Sequence, residues 1–178
     1  TEWSKTGGEF QMVQLWVNLP AKDKLTTPKY QDLMMNDMTR VNLENEGGFV
    51  NVIAGEYMGQ KGSGTTFSPI NLYNAYLNKG TKAEFSFPNT HNTAILIIDG
   101  NVKINDEHVI AKDSFVMFQN EGAENFSLEA MDENTIVLVM SGEPLNEPIA
   151  HYGPFVMNTQ EELIEAFEEF QAGKFGIL

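Results

Sequence analysis

The stretch Ala94-Ile95-Leu96-Ile97-Ile98-Asp99-Gly100-Asn101-Val102-Lys103-Ile104 sets the fold class of this 178-residue chain. Two apolar runs flank Asp99-Gly100-Asn101, a turn signal in which glycine adopts a positive φ at little cost. Further short apolar runs, each bounded by Gly, Asp, Asn or Glu, are found at residues 72–77, 114–118, 125–130 and 135–140. Many short strands with close turns and no helix between them indicate an antiparallel sandwich or barrel.

The residues before these strands predict a less regular region. Gln14 to Pro20 reads as a strand with no partner before it, and residues 21–54 read as a connecting segment with one or two short strands, such as 49–54. Residues 55–70 are rich in Gly, Ser and Thr, and they predict an exposed loop that leads into the first central strand.

One helix is predicted near the C-terminus. Thr159-Gln160-Glu161-Glu162 is a capping box, in which the Thr oxygen and the Glu carboxylate each accept from a backbone N–H of the first turn. Gly173 is the predicted end of this helix. Within the helix, four apolar residues form a stripe at helical spacing, which we interpret as a packing surface: Leu163, Ile164, Phe167 and Phe170.

The composition restricts the partners and the compartment. Twenty-five acidic residues against 11 basic ones give a net charge of −14, which repels phosphate groups. We therefore expect a protein partner with a basic surface, and no direct binding to nucleic acid or to a membrane. The chain has no Cys, which fits a cytoplasmic protein. We see no leader segment and no apolar run near eighteen residues long, so we expect neither a signal peptide nor a membrane span.

Residue types and spacing reveal no catalytic constellation. We interpret His91, His108 and His151 as loop or surface residues, because none has a His or carboxylate at the spacing of a metal half-site. Glu107 is adjacent to His108, but we expect the turn to splay the two side chains. Gly62-Ser63-Gly64 lacks the strand–turn–helix setting of a nucleophile elbow or a phosphate loop. A triad of Ser, His and Asp assembled from distant segments stays open.

Six segments resemble the pirin family in order and spacing. Three are similar to the linker of that family and three to its C-terminal part: Gln14 to Pro20, Lys22 to Lys24, Pro28 to Gln31, Gly142 to Pro148, Gly153 to Thr159, and Gly173 to Gly176. The resemblance covers the whole chain, and it corresponds to the second part of a pirin.

Pirins are bicupins, so the resemblance implies two packed barrels in the full family architecture. For this chain it implies an all-β fold, a cupin-type antiparallel β-barrel (jelly roll) with a C-terminal α-helix. We expect residues 1–54 to form the linker and strands that complete the N-terminal cupin. Residues 55–157 then form the C-terminal cupin barrel, and residues 158–178 form the helix and tail.

The resemblance also makes predictions about metal. In the family the N-terminal cupin holds a metal, usually iron or another divalent ion, with three His and one Glu. We expect that cupin to be absent here, with Glu2 as the remnant of its Glu ligand. One carboxylate does not make a metal site. The general cupin metal pattern places four poor donors at the ligand positions of the second barrel: Ser86, Pro88, Thr93 and Asn125. We therefore expect no cofactor in this chain, in a barrel whose mouth suits a small apolar ligand.

Three functions remain open at this stage. The first is a scaffold or protein-interaction module of the transcriptional or metabolic regulator type. The second is part of an iron-dependent enzyme similar to quercetin 2,3-dioxygenase, whose metal site lies in the N-terminal cupin. The third is a purely structural barrel. We expect no catalytic residue in this chain and no activity from it alone. An exposed inter-cupin face would favour a dimer or a domain swap.

Overall fold

The chain folds mainly into β-strands, as the alternation of its apolar residues predicts. The structure, a computed structural model, describes residues 3–8 and 10–175. Short 3₁₀ turns lie at Ala21–Asp23 and Glu44–Glu46. The other elements in the described residues are α1 (Trp3–Thr6), β1 (Thr39–Asn42), β2 (Gly48–Ala54), β3 (Glu56–Tyr57), β4 (Gln60–Lys61), β5 (Ile70–Leu77), β6 (Lys82–Ser86), β7 (Asn92–Asp99), β8 (Val102–Ile104), β9 (His108–Ile110), β10 (Phe115–Met117), β11 (Asn125–Ala130), β12 (Thr135–Gly142), β13 (Ala150–Tyr152), β14 (Phe155–Met157) and α2 (Gln160–Gln171).

The strands form two principal antiparallel sheets. One has six strands in the order β1-β2-β5-β12-β7-β10, and the other has four in the order β6-β11-β8-β9. Consecutive strands often lie in different sheets, as in a jelly roll. The predicted all-β fold with a C-terminal helix is confirmed. Residues 25–147, which contain both sheets, form one compact unit, and residues 1–24 with 148–178 form another.

Aromatic side chains fill the space between the two sheets. In β6 the residues alternate between buried and exposed, so Ala83 and Phe85 face inward. The ring of Phe85 lies 5.2 Å from that of Tyr57, 6.2 Å from that of Tyr73 and 5.4 Å from that of Phe126, measured between centroids. Such spacings are typical of favourable aromatic pairs. This cluster joins both sheets into one core.

The predicted turn at Asp99-Gly100-Asn101 is present, but it links the two sheets. Gly100 has φ +74°, and the Asp132 carboxylate accepts hydrogen bonds from the backbone N–H (2.9 Å) and the side-chain amide (2.6 Å) of Asn101. β7 pairs with β12 and β10, whereas β8 pairs with β11 and β9. Local turn chemistry predicted the reversal correctly, but the sheet that each strand joins depends on distant partners.

The predicted turn after β8 does form a hairpin. Asn105 and Asp106 have φ of 52° and 61°, and the backbone N–H of Glu107 donates to the carbonyl of Ile104 at 3.0 Å. Two consecutive positive φ values with this hydrogen bond define a type I′ turn, whose twist matches antiparallel strands. The hairpin pairs β8 with β9 and places His108 opposite Ile104.

The pairing of β1 and β2 differs from the predicted role of residues 1–54. β1 pairs with β2 and β2 pairs with β5, so both strands extend the six-stranded sheet of the barrel. Val50 and Val52 are fully buried in its core, which explains why β2 belongs there. Residues 55–70 also differ from a plain loop, because β3 and β4 form a small hairpin and Tyr57 is buried.

The strand predicted at Gln14 to Pro20 is wrong. Residues 10–20 contain no helix or strand, and the side chain of Trp16 is 64% exposed. A run of β-favouring residues becomes a strand only where another strand accepts its hydrogen bonds. In this segment Asn18 makes a side-chain contact instead, since the Lys24 ammonium donates to its Oδ1 at 2.6 Å.

The predicted ends of α2 are confirmed. Thr159 Oγ1 accepts from the Glu162 N–H at 3.2 Å, and Glu162 Oε2 accepts from the Thr159 N–H at 3.0 Å, which completes the capping box. At the other end Gly173 has φ +74°, and the N–H of Lys174 donates to the carbonyl of Glu169 at 3.0 Å. These contacts form a Schellman motif. None of the described helices has the length and apolarity that crossing a membrane requires.

The apolar stripe of α2 packs only in part. Leu163 is buried, but Ile164, Phe167 and Phe170 remain exposed. The rings of Phe167 and Phe170 contact the ring of Phe155 edge-on, with centroid separations of 5.9 and 5.7 Å. The interpretation of the stripe as a packing surface is therefore right for Leu163, right in part for Phe167 and Phe170, and too broad for Ile164.

Candidate functional site

A cavity of about 390 Å³ lies between the two sheets of the unit formed by residues 25–147. β7 and β10 line it from the six-stranded sheet, and β8, β9 and β11 line it from the four-stranded sheet. Its volume falls within the range of small-molecule sites in proteins. The cavity is the principal candidate for a functional site.

The inner part of the cavity is apolar. Phe87, Ile104 and Phe126 are buried, and they lie beside the half-buried Phe118 and Val116. The rings of Phe118 and Phe126 are 4.3 Å apart, and those of Phe87 and Phe126 are 6.1 Å apart, measured between centroids. Ile104 lies in β8, Val116 in β10 and Phe126 in β11, whereas Phe87 and Phe118 each directly follow a strand.

A chain of polar contacts holds one imidazole in the wall of this cavity. Thr93 Oγ1 donates to Ser141 Oγ at 3.0 Å, and Ser141 Oγ lies 3.3 Å from Nδ1 of His91. Ser141 is 2% exposed and Thr93 is also buried, whereas His91 is half-buried and lines the cavity. Residues 93 and 141 are direct partners in the β7–β12 register, which brings the two hydroxyls together.

The rim of the cavity is polar and carries acidic groups. His108, Glu121 and Glu124 line it and are exposed. His108 Nε2 lies 3.6 Å from Glu107 Oε2, so these neighbours do meet at the surface, contrary to the predicted splaying. The residues that line this cavity include no Lys or Arg. The remaining rim residues are mainly amides: Asn89, Asn105, Gln119, Asn120 and Asn125.

A second hollow, of about 680 Å³, is lined by a different part of the same unit. Lys79 and Lys82 line it together with Glu44 and Glu84, and Lys82 forms an exposed ion pair with Asp106 at 2.6 Å. Burial raises the pKa of the Tyr57 hydroxyl in this lining, and the Glu84 carboxylate raises it further. No His lines this hollow, whereas His91 and His108 line the first cavity. The first cavity is therefore the stronger candidate for a functional site.

Comparison with known proteins places this architecture in a family. Residues 72–176 match the family described as the pirin C-terminal cupin domain. The chain belongs to the pirin family. A Pseudomonas aeruginosa protein, provisionally named quercetin 2,3-dioxygenase, is 40% identical over 96% of this chain and 58% of its own length. A pirin-like protein of Solanum lycopersicum is 32% identical over 92% of this chain and 56% of its own.

A solved structure agrees with the fold of this pirin chain. The crystal structure of a quercetin 2,3-dioxygenase from Acinetobacter baumannii is 44% identical and superposes with a TM-score of 0.91. The match covers 98% of the pirin chain and 60% of the crystallised protein. The pirin chain thus spans less than two thirds of the length of the relatives that it matches.

The structure brings most of the predicted cupin ligand positions of this pirin together. Pro88, Thr93 and Asn125 line the cavity, and Ser86 lines a neighbouring groove that also contains Asn125. Glu2, the predicted remnant of a metal site, lies outside the described residues.

These positions do not fit an iron ion of the kind that the family resemblance implies for the N-terminal cupin. Hydroxyl and amide groups are poor ligands for iron, and Pro88 offers no side-chain donor. Across residues 3–8 and 10–175 there is no group of three or more His, Asp or Glu side chains that is placed to hold a metal ion. We therefore derive no chemical step through a metal at this cavity.

The three histidines are loop or surface residues, as predicted, since His91 lies in the bend before β7, and His108 and His151 are exposed in β9 and β13. The sequence did not reveal that His91 and His108 also line the cavity. Ser141 follows His91 by 50 residues, so no local spacing reveals their contact. Only the strand register could have pointed to it.

Proposed function

We propose that this pirin chain is a non-metal cupin module that acts through protein contacts, of the transcriptional or metabolic regulator type. The observation that carries the proposal is the set of exposed apolar side chains, here called the apolar surface, in the described part of the unit formed by residues 1–24 and 148–178. Trp16, Ile164, Phe170 and Phe175 are exposed there, and large exposed apolar side chains are typical of protein-interaction surfaces. The net charge of −14 favours a partner with a basic surface. A Cys-free composition supports a cytoplasmic location.

A second candidate function is a part of a flavonol-oxygenating enzyme. The similarity to the Acinetobacter baumannii quercetin 2,3-dioxygenase, at 44% identity, favours it. In that case the metal would be iron or another divalent ion, held by residues of a longer protein. Glu2 would contribute one ligand, and residues 25–147 would support the catalytic barrel. The bound metal would supply sites for O₂ and substrate.

An oxygenation assay tests whether this chain by itself oxygenates flavonols. We expect no turnover of quercetin by the purified chain with added Fe(II), because the donors at the cavity do not fit iron. Quercetin loss and O₂ uptake are measured together against Fe(II) in buffer and against the heat-denatured chain. Turnover that rises in proportion to the concentration of folded chain would contradict the module proposal. A Glu2→Gln variant serves as a control and is expected to match the unmodified chain.

We further expect the apolar surface to support a dimer, including a domain-swapped one. Sedimentation velocity measures the dimer as a function of concentration. Trp16→Ser and Phe170→Ser are expected to weaken it at least about tenfold, because aromatic side chains carry much of the energy of an interface. Tyr30→Ser is the matched control, since Tyr30 is also aromatic and exposed but belongs to the unit formed by residues 25–147. A chain that stays monomeric at about 0.5 mM, a concentration that populates even weak dimers, would contradict this expectation.

A further inference from the structure

The cavity between the sheets has the lining of a binding site for an aromatic ring. Its inner surface is formed by the three phenylalanines at 87, 118 and 126, together with Ile104 and Val116. The Phe118 and Phe126 rings lie 4.3 Å apart, measured between centroids, and their planes are tilted by 32°. A planar ring gains contact area against such a surface, and it also gains the favourable geometry of aromatic pairs.

The polar contacts around His91 leave one ring nitrogen for a ligand. Ser141 Oγ lies 3.0 Å from Thr93 Oγ1 and 3.3 Å from Nδ1 of His91, so the buried hydroxyls occupy Nδ1. Nε2 is the second polar atom of the ring, and it donates or accepts a hydrogen bond according to the tautomer. Because Thr93 and Ser141 are buried, water competes little for this arrangement. His91 thus calls for a polar group on the ligand that can form a hydrogen bond with Nε2.

The charges around the cavity disfavour an anionic ligand. Glu121 and Glu124 line the rim, no Lys or Arg lines it, and the chain carries a net charge of −14. This field opposes the entry of phosphates and carboxylates. The amides of Asn89, Asn105 and Gln119 offer both donors and acceptors to neutral polar groups.

We propose that this cavity binds a small uncharged aromatic molecule that carries an amide, carbonyl or hydroxyl group hydrogen-bonded to His91. The phenylalanines hold the ring and the Thr93–Ser141–His91 chain orients the polar group. This site is independent of the proposed protein contacts, because it lies wholly within residues 25–147. Failure of one proposal therefore leaves the other standing.

Three probes of similar size test the ligand class on the full chain. Benzamide is neutral and aromatic, benzoate is its anionic counterpart, and cyclohexanecarboxamide has the same amide without the aromatic ring. Binding is followed by amide chemical shifts of Phe118 and Phe126 in isotope-labelled protein. We expect benzamide to bind with a Kd of about 1 mM, a value usual for a fragment of this size. Benzoate and cyclohexanecarboxamide are each expected to bind at least about fivefold more weakly, the loss that one mismatched contact causes.

Two variants and a control test the role of the named residues. His91→Leu is expected to weaken benzamide binding about fivefold, as the loss of one neutral hydrogen bond does. His151→Leu is the control and should bind as the unmodified chain does, because His151 does not line the cavity. Val116→Trp places a large ring in the cavity and should abolish binding. If this variant does not fold, the comparison of the two His variants still decides the question.

Several outcomes would overturn the proposal. Absence of benzamide-induced shifts at 20 mM (about twenty times the expected Kd) would show that the cavity takes no such ring. Benzoate binding as tightly as benzamide would show that the charge argument is wrong. Equal affinities for His91→Leu and His151→Leu would remove His91 from the site.

Discussion

Replacing Phe85 with alanine is expected to lower the free energy of unfolding by about 3–5 kcal/mol. Phe85 is 2% exposed, and its ring contacts those of Tyr57, Tyr73 and Phe126, so truncation leaves a cavity between the two sheets. Relaxation cannot close this cavity fully, since both sheets are held by their ladders of hydrogen bonds. The free-energy cost of the lost apolar contacts and that of the residual cavity therefore add.

Urea unfolding followed by far-UV circular dichroism measures this effect. Both tryptophans, Trp3 and Trp16, belong to the other compact unit, so tryptophan fluorescence is a poorer probe of residues 25–147. Phe115→Ala is the matched control, because Phe115 also lies in a strand but is 59% exposed. It should change the unfolding free energy by about 0.5 kcal/mol or less. Similar losses for the two variants would contradict the assignment of Phe85 to the core.

The second large effect is expected at Gly48, where β2 begins. Gly48 has φ +110°, and a Cβ atom there would overlap the carbonyl oxygen of Tyr76 on the neighbouring strand β5. The strain of a positive φ and the displacement of a backbone group together predict a loss of about 3–5 kcal/mol for Gly48→Ala. The displaced carbonyl belongs to the β2–β5 ladder, so the damage extends beyond the substituted residue.

Gly80→Ala is the control for backbone strain alone. Gly80 has φ +78°, but a Cβ atom there meets nothing within 4 Å. Its expected loss is about 1–2 kcal/mol, the cost of a left-handed conformation for a residue with a side chain. Thermal and urea unfolding of both variants measure the difference. Equal losses at the two glycines would mean that the overlap with Tyr76 relaxes freely, contrary to the expectation.

The strands and the helix were predictable because their signals are local. The run at 125–130 matches β11, and the run at 94–98 lies within β7. The capping box at Thr159 and the stop at Gly173 depend on contacts within five residues along the chain. Side-chain alternation and end capping act over such distances, so a single sequence contains the information.

The errors concern contacts between distant residues. Gln14 to Pro20 has strand composition, but no ladder forms along it. Residues 1–54 were expected to form the linker and the strands that complete the N-terminal cupin, and within that range β2 pairs with β5 of this barrel. The division of the chain at 54/55 and 157/158 is still a prediction. Which strands pair depends on the burial of whole sheet faces, and the composition of a single segment does not reveal it.

The all-β class, the helix with its ends and the acidic surface follow from the residues in order, because each arises from neighbours along the chain or from simple charge counting. The cavity and its oriented histidine do not. Pro88, Thr93 and Asn125 were chosen by their spacing, but His91 became a lining residue only when β7 and β12 placed Thr93 opposite Ser141. Strand register joins residues that are 48 to 50 positions apart. The energy that selects this register comes from the packed core as a whole, so the site exists only in the folded chain.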